Sequence, residues 1–236
     1  MNKNTGRILR TVAIVGLGLT AAMNFLGGAG TTCAAFGFTR AYRIAFSDLH
    51  DYKWLYQTLV VTTILTGIAG FWATVALAKG KRNAYRNTLI ICIIGTILAA
   101  VQYIASMSLR GEATPANVKF FVNAFALIYF LVLKTPSIWK YIDFSEPKDD
   151  VSGEMAGGLA AIVAGCTFLS VAGWVGSSHV YEGANWVHLY SVPINVVGSI
   201  LAASGLLLLV RVARRLSRRD SVVLVEAPER VASSGD

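Results

Sequence analysis

Six stretches of the chain are long, apolar and free of Asp, Glu, Lys and Arg. They run from about Thr11 to Phe38, Tyr56 to Ala78, Thr88 to Leu109, Phe120 to Leu133, Met155 to Ser178 and Trp186 to Val210. About 20 such residues cross the ~30 Å of bilayer hydrocarbon as a helix, the form that satisfies every backbone amide within the segment. Six runs in 236 residues leave no polar shell that could bury them in a soluble fold. The pattern predicts an all-α, polytopic membrane helix bundle of six transmembrane helices within residues 1–212. The fourth run is the shortest and borrows Asn117 and Val118 at one end. Beyond it all, residues 213–236 are expected to form a basic tail without fixed structure, since they cannot bury enough apolar surface to offset ordering.

The connections carry patterns of their own. On a helical wheel of residues 40–54, Tyr42, Ala45, Phe46, Leu49 and Tyr52 gather on one side, while Arg40, Arg43, Ser47, His50 and Asp51 gather on the other. That distribution predicts one outer interfacial helix lying flat on the membrane, with Tyr52, Trp54 and Tyr56 as an aromatic collar at the headgroups. Lys79–Arg86 reads as a tight basic hairpin. Thr135-Pro136 ends the fourth helix, and Ile138, Trp139, Tyr141, Ile142 and Phe144 predict a short segment grazing the inner leaflet. Glu146–Gly153 reads as an exposed acidic turn.

Charge assigns an orientation. Taking alternate connections together, sixteen of the twenty-one Lys and Arg fall on the side of the two termini, and only Arg40, Arg43, Lys53, Arg110 and Lys119 fall on the other. The excess of basic residues marks the cytoplasmic side. Both termini are therefore expected in the cytoplasm of a multi-pass cell-membrane protein, by default the inner membrane of a bacterial-type cell. The net charge of +8 would suggest nucleic acid in a soluble domain, but here topology accounts for it. Membrane lipids are the expected partners, and nucleic acid is not. A basic start before an apolar run also resembles a signal peptide. The run is too long and lacks a small-residue cleavage site, so the first helix is expected to stay; its removal would leave five spans in the same orientation. Gly30 stands where a lipoprotein signal ending at Cys33 would need a Leu-like residue.

Glycine clusters in the first run at Gly16, Gly18, Gly27, Gly28, Gly30 and Gly37. Small residues allow close helix approach where lipid gives no hydrophobic drive to association. The fifth run repeats the feature, with Gly158 and Gly165 a heptad apart. These two helices are expected to make the closest contacts, and to offer any surface for other membrane subunits. An unwound stretch at Gly27–Thr32, with amides free to hold an anion, is the alternative use. A split into two inverted three-helix halves has little self-similarity behind it.

Candidate chemistry is sparse. The intramembrane polar residues are Asn24, Gln102, Asn123 and Asn195, with Pro193 expected to loosen the sixth helix beside the last. They either fasten helices together or line a polar crevice. With no carboxylate or His at mid-depth, a proton pump or cation-coupled symporter is disfavoured. Cys33, Cys92 and Cys166 lie at three depths without a C-x-x-C, so disulfide chemistry is disfavoured as well. His50, His179 and His188 all fall on the outer side. With Asp51 and Glu182 they could converge into a metal site, or hold haem between His50 and His188.

Two functional classes follow. The first is a non-enzymatic integral membrane protein with no cofactor, either an accessory subunit of a membrane complex or a small facilitator for an uncharged solute. The alternative is a membrane redox protein with a metal or haem at its outer rim.

Overall fold

The first apolar run and the residues before it form one helix, α1 (Lys3–Phe36), in a computed structural model that describes residues 3–37, 40–142, 144, 150–181 and 183–232. Gly37 closes it with a left-handed φ of 56°, and its N–H donates to the Cys33 carbonyl at 3.1 Å. Only glycine takes that backbone without strain. The chain continues through α2 (Arg40–Ala45), a 3-10 turn (Ser47–Tyr52), α3 (Lys53–Ala78), α4 (Ala84–Arg110), α5 (Ala116–Leu133) and α6 (Pro136–Trp139). Then come α7 (Asp150–Leu169), α8 (Val171–Val175), a second 3-10 turn (Gly176–His179), the short antiparallel strands β1 (Val180–Tyr181) and β2 (Ala184–Asn185), α9 (Trp186–Leu189) and α10 (Ser191–Ala232). Among the described residues six helices, α1, α3, α4, α5, α7 and α10, are long and apolar enough to cross a membrane. The protein is an all-α, multi-pass membrane bundle. Six successive crossings return both termini to one end, called here the terminal end; the other is the distal end.

Helix α1 is the hub, packed against α3, α5 and α7. Within its apolar stretch 56 % is buried, against 17 % for α10, which leans mainly on α7. The small residues of α1 and α7 are used within the chain. Ala21 faces Gly70, Gly28 faces Ile64, and Gly18 faces Ala160. Gly158 and Gly165 of α7 meet Gly205 and Gly198 of α10, themselves a heptad apart. A Cβ on Gly165 would lie 2.7 Å from the Gly198 carbonyl oxygen and from the Ala202 nitrogen. Close backbone approach of this kind replaces the hydrophobic drive that lipid removes. The Gly27–Thr32 stretch stays helical, with Thr31 Oγ1 donating to the Gly27 carbonyl at 2.6 Å.

Several local expectations change. The amphipathic stretch at 40–54 is helical but divided at Phe46 into α2 and the 3-10 turn, and the turn leads directly into α3. Tyr42 and Leu49 from its apolar side are buried in the bundle. Tyr52 and Trp54 are exposed as a collar requires, but Tyr56 turns inward to a 2.9 Å hydroxyl hydrogen bond with Ser106. The segment after Pro136 does not graze a surface: Ile142 and Phe144 are fully buried beside Tyr85 and Phe130, which closes the terminal end with packed rings. Arg10, also buried there, donates to the Leu77 carbonyl at 3.1 Å, at the end of α3 where the last carbonyls lack helical partners. The fifth span stops at Leu169, where Ser170 starts the separate turn α8. Pro193 falls in the first turn of α10, where its missing N–H costs nothing, so it does not loosen the helix interior. The backbone remains helical past residue 213 to Ala232.

Candidate functional site

The distal halves of α1, α4 and α5 hold a continuous chain of polar side chains. Helix α5 opens at Ala116, so Lys119 and Asn123 stand one turn apart on the same side. Asn123 is fully buried and exchanges two amide hydrogen bonds with Asn24, both at 2.9 Å. Its second amide proton goes to the Lys119 carbonyl at 2.8 Å. Gly95 of α4 leaves the space, because a Cβ there would collide with the Asn123 side-chain oxygen. One turn further, Lys119 Nζ donates to Gln102 Oε1, and Gln102 Nε2 donates to Thr31 Oγ1 at 2.8 Å. Below Asn24 and Asn123 the packing becomes apolar, through Ile14, Leu17, Cys92, Ala126 and Phe130.

Lys119 is the residue that sequence reasoning misplaced. Its charge predicts an outer loop, yet it is 2 % exposed and points into the bundle. The expectation that the intramembrane polar groups are uncharged is corrected accordingly. Its stem lies across α1, where a Cβ on Gly27 would be 2.9 Å from Lys119 Cδ. Among the described residues no carboxylate lies within ion-pair distance of it. A charge inside a bundle without a counter-ion is costly, and such residues mark binding or transport sites. A signal was available: Lys119 and Asn123 share a face, and that face opens opposite the small residues of α1. Of the four intramembrane polar residues expected, Asn24, Gln102 and Asn123 are brought together; Asn195 is exposed on α10 and stands apart.

Beside this chain lies a cavity of about 400 Å³ between α1, α8 and α10, reaching the start of α5. Phe25, Leu26, Phe168, Val171, Val175 and Ile194 supply its apolar wall. Lys119 and His179 both line it, and both approach α1 where it carries glycine. His179 Nε2 lies 3.8 Å from the position of a Cβ on Gly30, one turn beyond Gly27. His179 Nδ1 is 3.2 Å from the Val175 carbonyl, within hydrogen-bond distance. Burial pushes the His179 imidazole below its ordinary value, against the smaller opposing effect of that carbonyl. Trp174 and Tyr190, 40 % and 50 % exposed, stand at the rim.

The other residues considered for a metal site are dispersed in environment. His50 and Asp51 are exposed in the first 3-10 turn, and His188 is exposed on α9. Glu182 lies outside the described residues. Among the described residues no three or more His, Cys, Asp or Glu side chains come together in a group that could hold a metal. His179 is instead a wall of the cavity. Compared with known protein families, with curated proteins and with solved structures, the chain matches none.

Proposed function

We propose that the protein is a non-enzymatic membrane protein that holds a small amphipathic molecule in the distal cavity, serving as a ligand-binding accessory subunit. The observation that supports this reading is the cavity itself: about 400 Å³ of apolar space that ends at the buried Lys119. That volume falls at the small end of the ~300–1,000 Å³ typical of ligand sites, which combine an apolar lining with a few directed polar groups. The polar chain reaches the cavity at Lys119, and beyond Asn24 and Asn123 it gives way to packed apolar side chains. On the charge distribution read above, both termini face the cytoplasm and the cavity belongs to the outer half of the membrane. Since the small faces of α1 and α7 are largely filled within the chain, a partner subunit would meet α4 or α10, the latter the least buried span.

Binding raises the melting temperature by stabilising only the folded form. Dodecanol, a neutral amphiphile, is expected to raise the melting temperature of the purified protein in detergent. Gly30→Trp, which fills the cavity, should abolish the rise. Equal shifts in both proteins would reject the cavity as a ligand site.

A second observation favours a facilitator. A further cavity of about 610 Å³ lies in the terminal half between α3, α7 and α10, lined by Phe71, Ala164 and Leu201. These residues belong to the same packed cluster as Phe25 and Phe168, which wall the distal cavity. Phe25 and Phe168, with ring centroids 6.0 Å apart, would then be the barrier between two half-passages. Glycerol uptake into proteoliposomes, faster with Phe168→Ala than with the wild type, would support that reading, and equal uptake would reject it.

A further inference from the structure

Among the described residues the cavity has one cationic group, and its chemistry narrows the occupant. Lys119 Nζ carries three protons. One goes to Gln102 Oε1, and no other hydrogen bond of the ammonium is present among the described residues. Lys119 is buried and lines the cavity, and among the described residues no carboxylate lies within ion-pair distance of its ammonium. Gln102 cannot neutralise it, because its amide is dipolar and its own N–H is spent on Thr31. The remaining wall is mostly aliphatic and aromatic, with Thr32, Cys33 and His179 among its other polar side chains.

We infer that the occupant is a single-chain amphiphile with a carboxylate head, its oxygen accepting from Lys119 Nζ and its chain lying along Phe25, Phe168 and Ile194. This rests on the ligand-binding reading above and specifies its ligand. A carboxylate supplies the missing counter-charge in one small group, and a charged acceptor makes hydrogen bonds about twice as strong as a neutral one. A phosphodiester head fits less well: Lys119 is the one Lys or Arg lining the cavity among the described residues, and a larger head would call for further donors. A single saturated chain matches a wall that is mostly apolar, and two chains would exceed a site of about 400 Å³.

Native mass spectrometry of the full-length protein released from detergent, titrated separately with palmitate and hexadecanol, tests this directly. Both probes have one C16 chain and differ in the head alone. Palmitate is expected to bind the wild type about tenfold or more tightly, as one charge-assisted contact can supply. Lys119→Gln, which keeps a hydrogen-bonding side chain and removes the charge, should bring the two probes to equal affinity. Equal binding in the wild type would overturn the proposal, and that comparison requires no variant to fold. A palmitate preference that persists in Lys119→Gln would overturn it too, because the charge would then be recognised elsewhere. Hexadecanol binding without a palmitate preference ends the carboxylate assignment and leaves the cavity a ligand site. Failure of both probes to bind rejects the site as well.

Discussion

Asn24 on α1 and Asn123 on α5 form a closed pair of amides, each donating to the other at 2.9 Å, with neither side chain more than 2 % exposed. The two residues are ninety-nine apart in sequence and lie on different helices, so the pair sets the register of the helices as well as their contact. Interhelical hydrogen bonds between membrane helices contribute ~0.6–1.7 kcal/mol in double-mutant cycles. Asn24→Ala and Asn123→Ala are each expected to destabilise by about 1–3 kcal/mol, since each strands a buried amide. The double variant should cost less than the sum of the two. Unfolding in detergent across the four proteins measures the coupling, and a coupling near zero would show that the pair contributes nothing beyond filling space.

The α7–α10 seam depends on backbone meeting backbone. A methyl at Gly165 meets the Gly198 carbonyl and the Ala202 nitrogen, neither of which can rotate away. Gly165→Ala is expected to lower stability by about 1–3 kcal/mol through overpacking. Gly16→Ala serves as the contrast, because nothing lies within 4 Å of its Cβ position. There the loss of glycine's chain entropy should stabilise by about 0.5–1 kcal/mol. Equal melting temperatures for the two variants would count against close approach at this seam.

How far the sequence was legible differs between these two sites. The span pattern depends on composition over about twenty residues, so the six helices and their all-α bundle could be read directly. The heptad of Gly158 and Gly165 likewise pointed to a close seam, although only the structure shows Gly198 and Gly205 as its other side. Lys119 was lost to the same method that found the helices: a charge ends an apolar run, so hydropathy pushed it into a loop. Whether a Lys at a helix start turns outward or inward depends on what faces it, here Gly27 and Gln102 from two other helices. Ile142 and Phe144 were misread for a related reason. An aromatic stretch beside a span fits a membrane surface and a packed helix end equally well until Tyr85 and Phe130 are placed opposite.

His179 gives the fold a pH dependence on the acid side. Its buried imidazole titrates below the ordinary value of 6.5 that it regains on unfolding. Between the folded value and 6.5 the unfolded chain therefore binds more protons, so stability rises with pH there. Its contribution is complete above about pH 6.5 and is lost as the pH falls towards the folded value. Melting temperatures between pH 5 and pH 8 should rise more steeply for the wild type than for His179→Gln, which cannot titrate. Parallel profiles would place the titrating group elsewhere.

The proposed orientation becomes sharper once the buried cations are set aside. Lys119 and Arg10 are 2 % and 3 % exposed, so neither faces a headgroup region as a topology signal should. Removing them leaves fifteen basic residues on the side of the termini and four on the other. Single cysteines at Lys81, in the α3–α4 turn, and at Arg215 on α10 should then be shielded in intact cells from a membrane-impermeant maleimide. A cysteine at Asp48, in the 3-10 turn before α3, should react. The native thiols leave a low background: Cys92 is buried, Cys33 is half-buried at the cavity, and Cys166 is exposed within the membrane-spanning part of α7. Labelling at Lys81 and Arg215 with protection at Asp48 would invert the protein in the membrane and move the cavity to the cytoplasmic half.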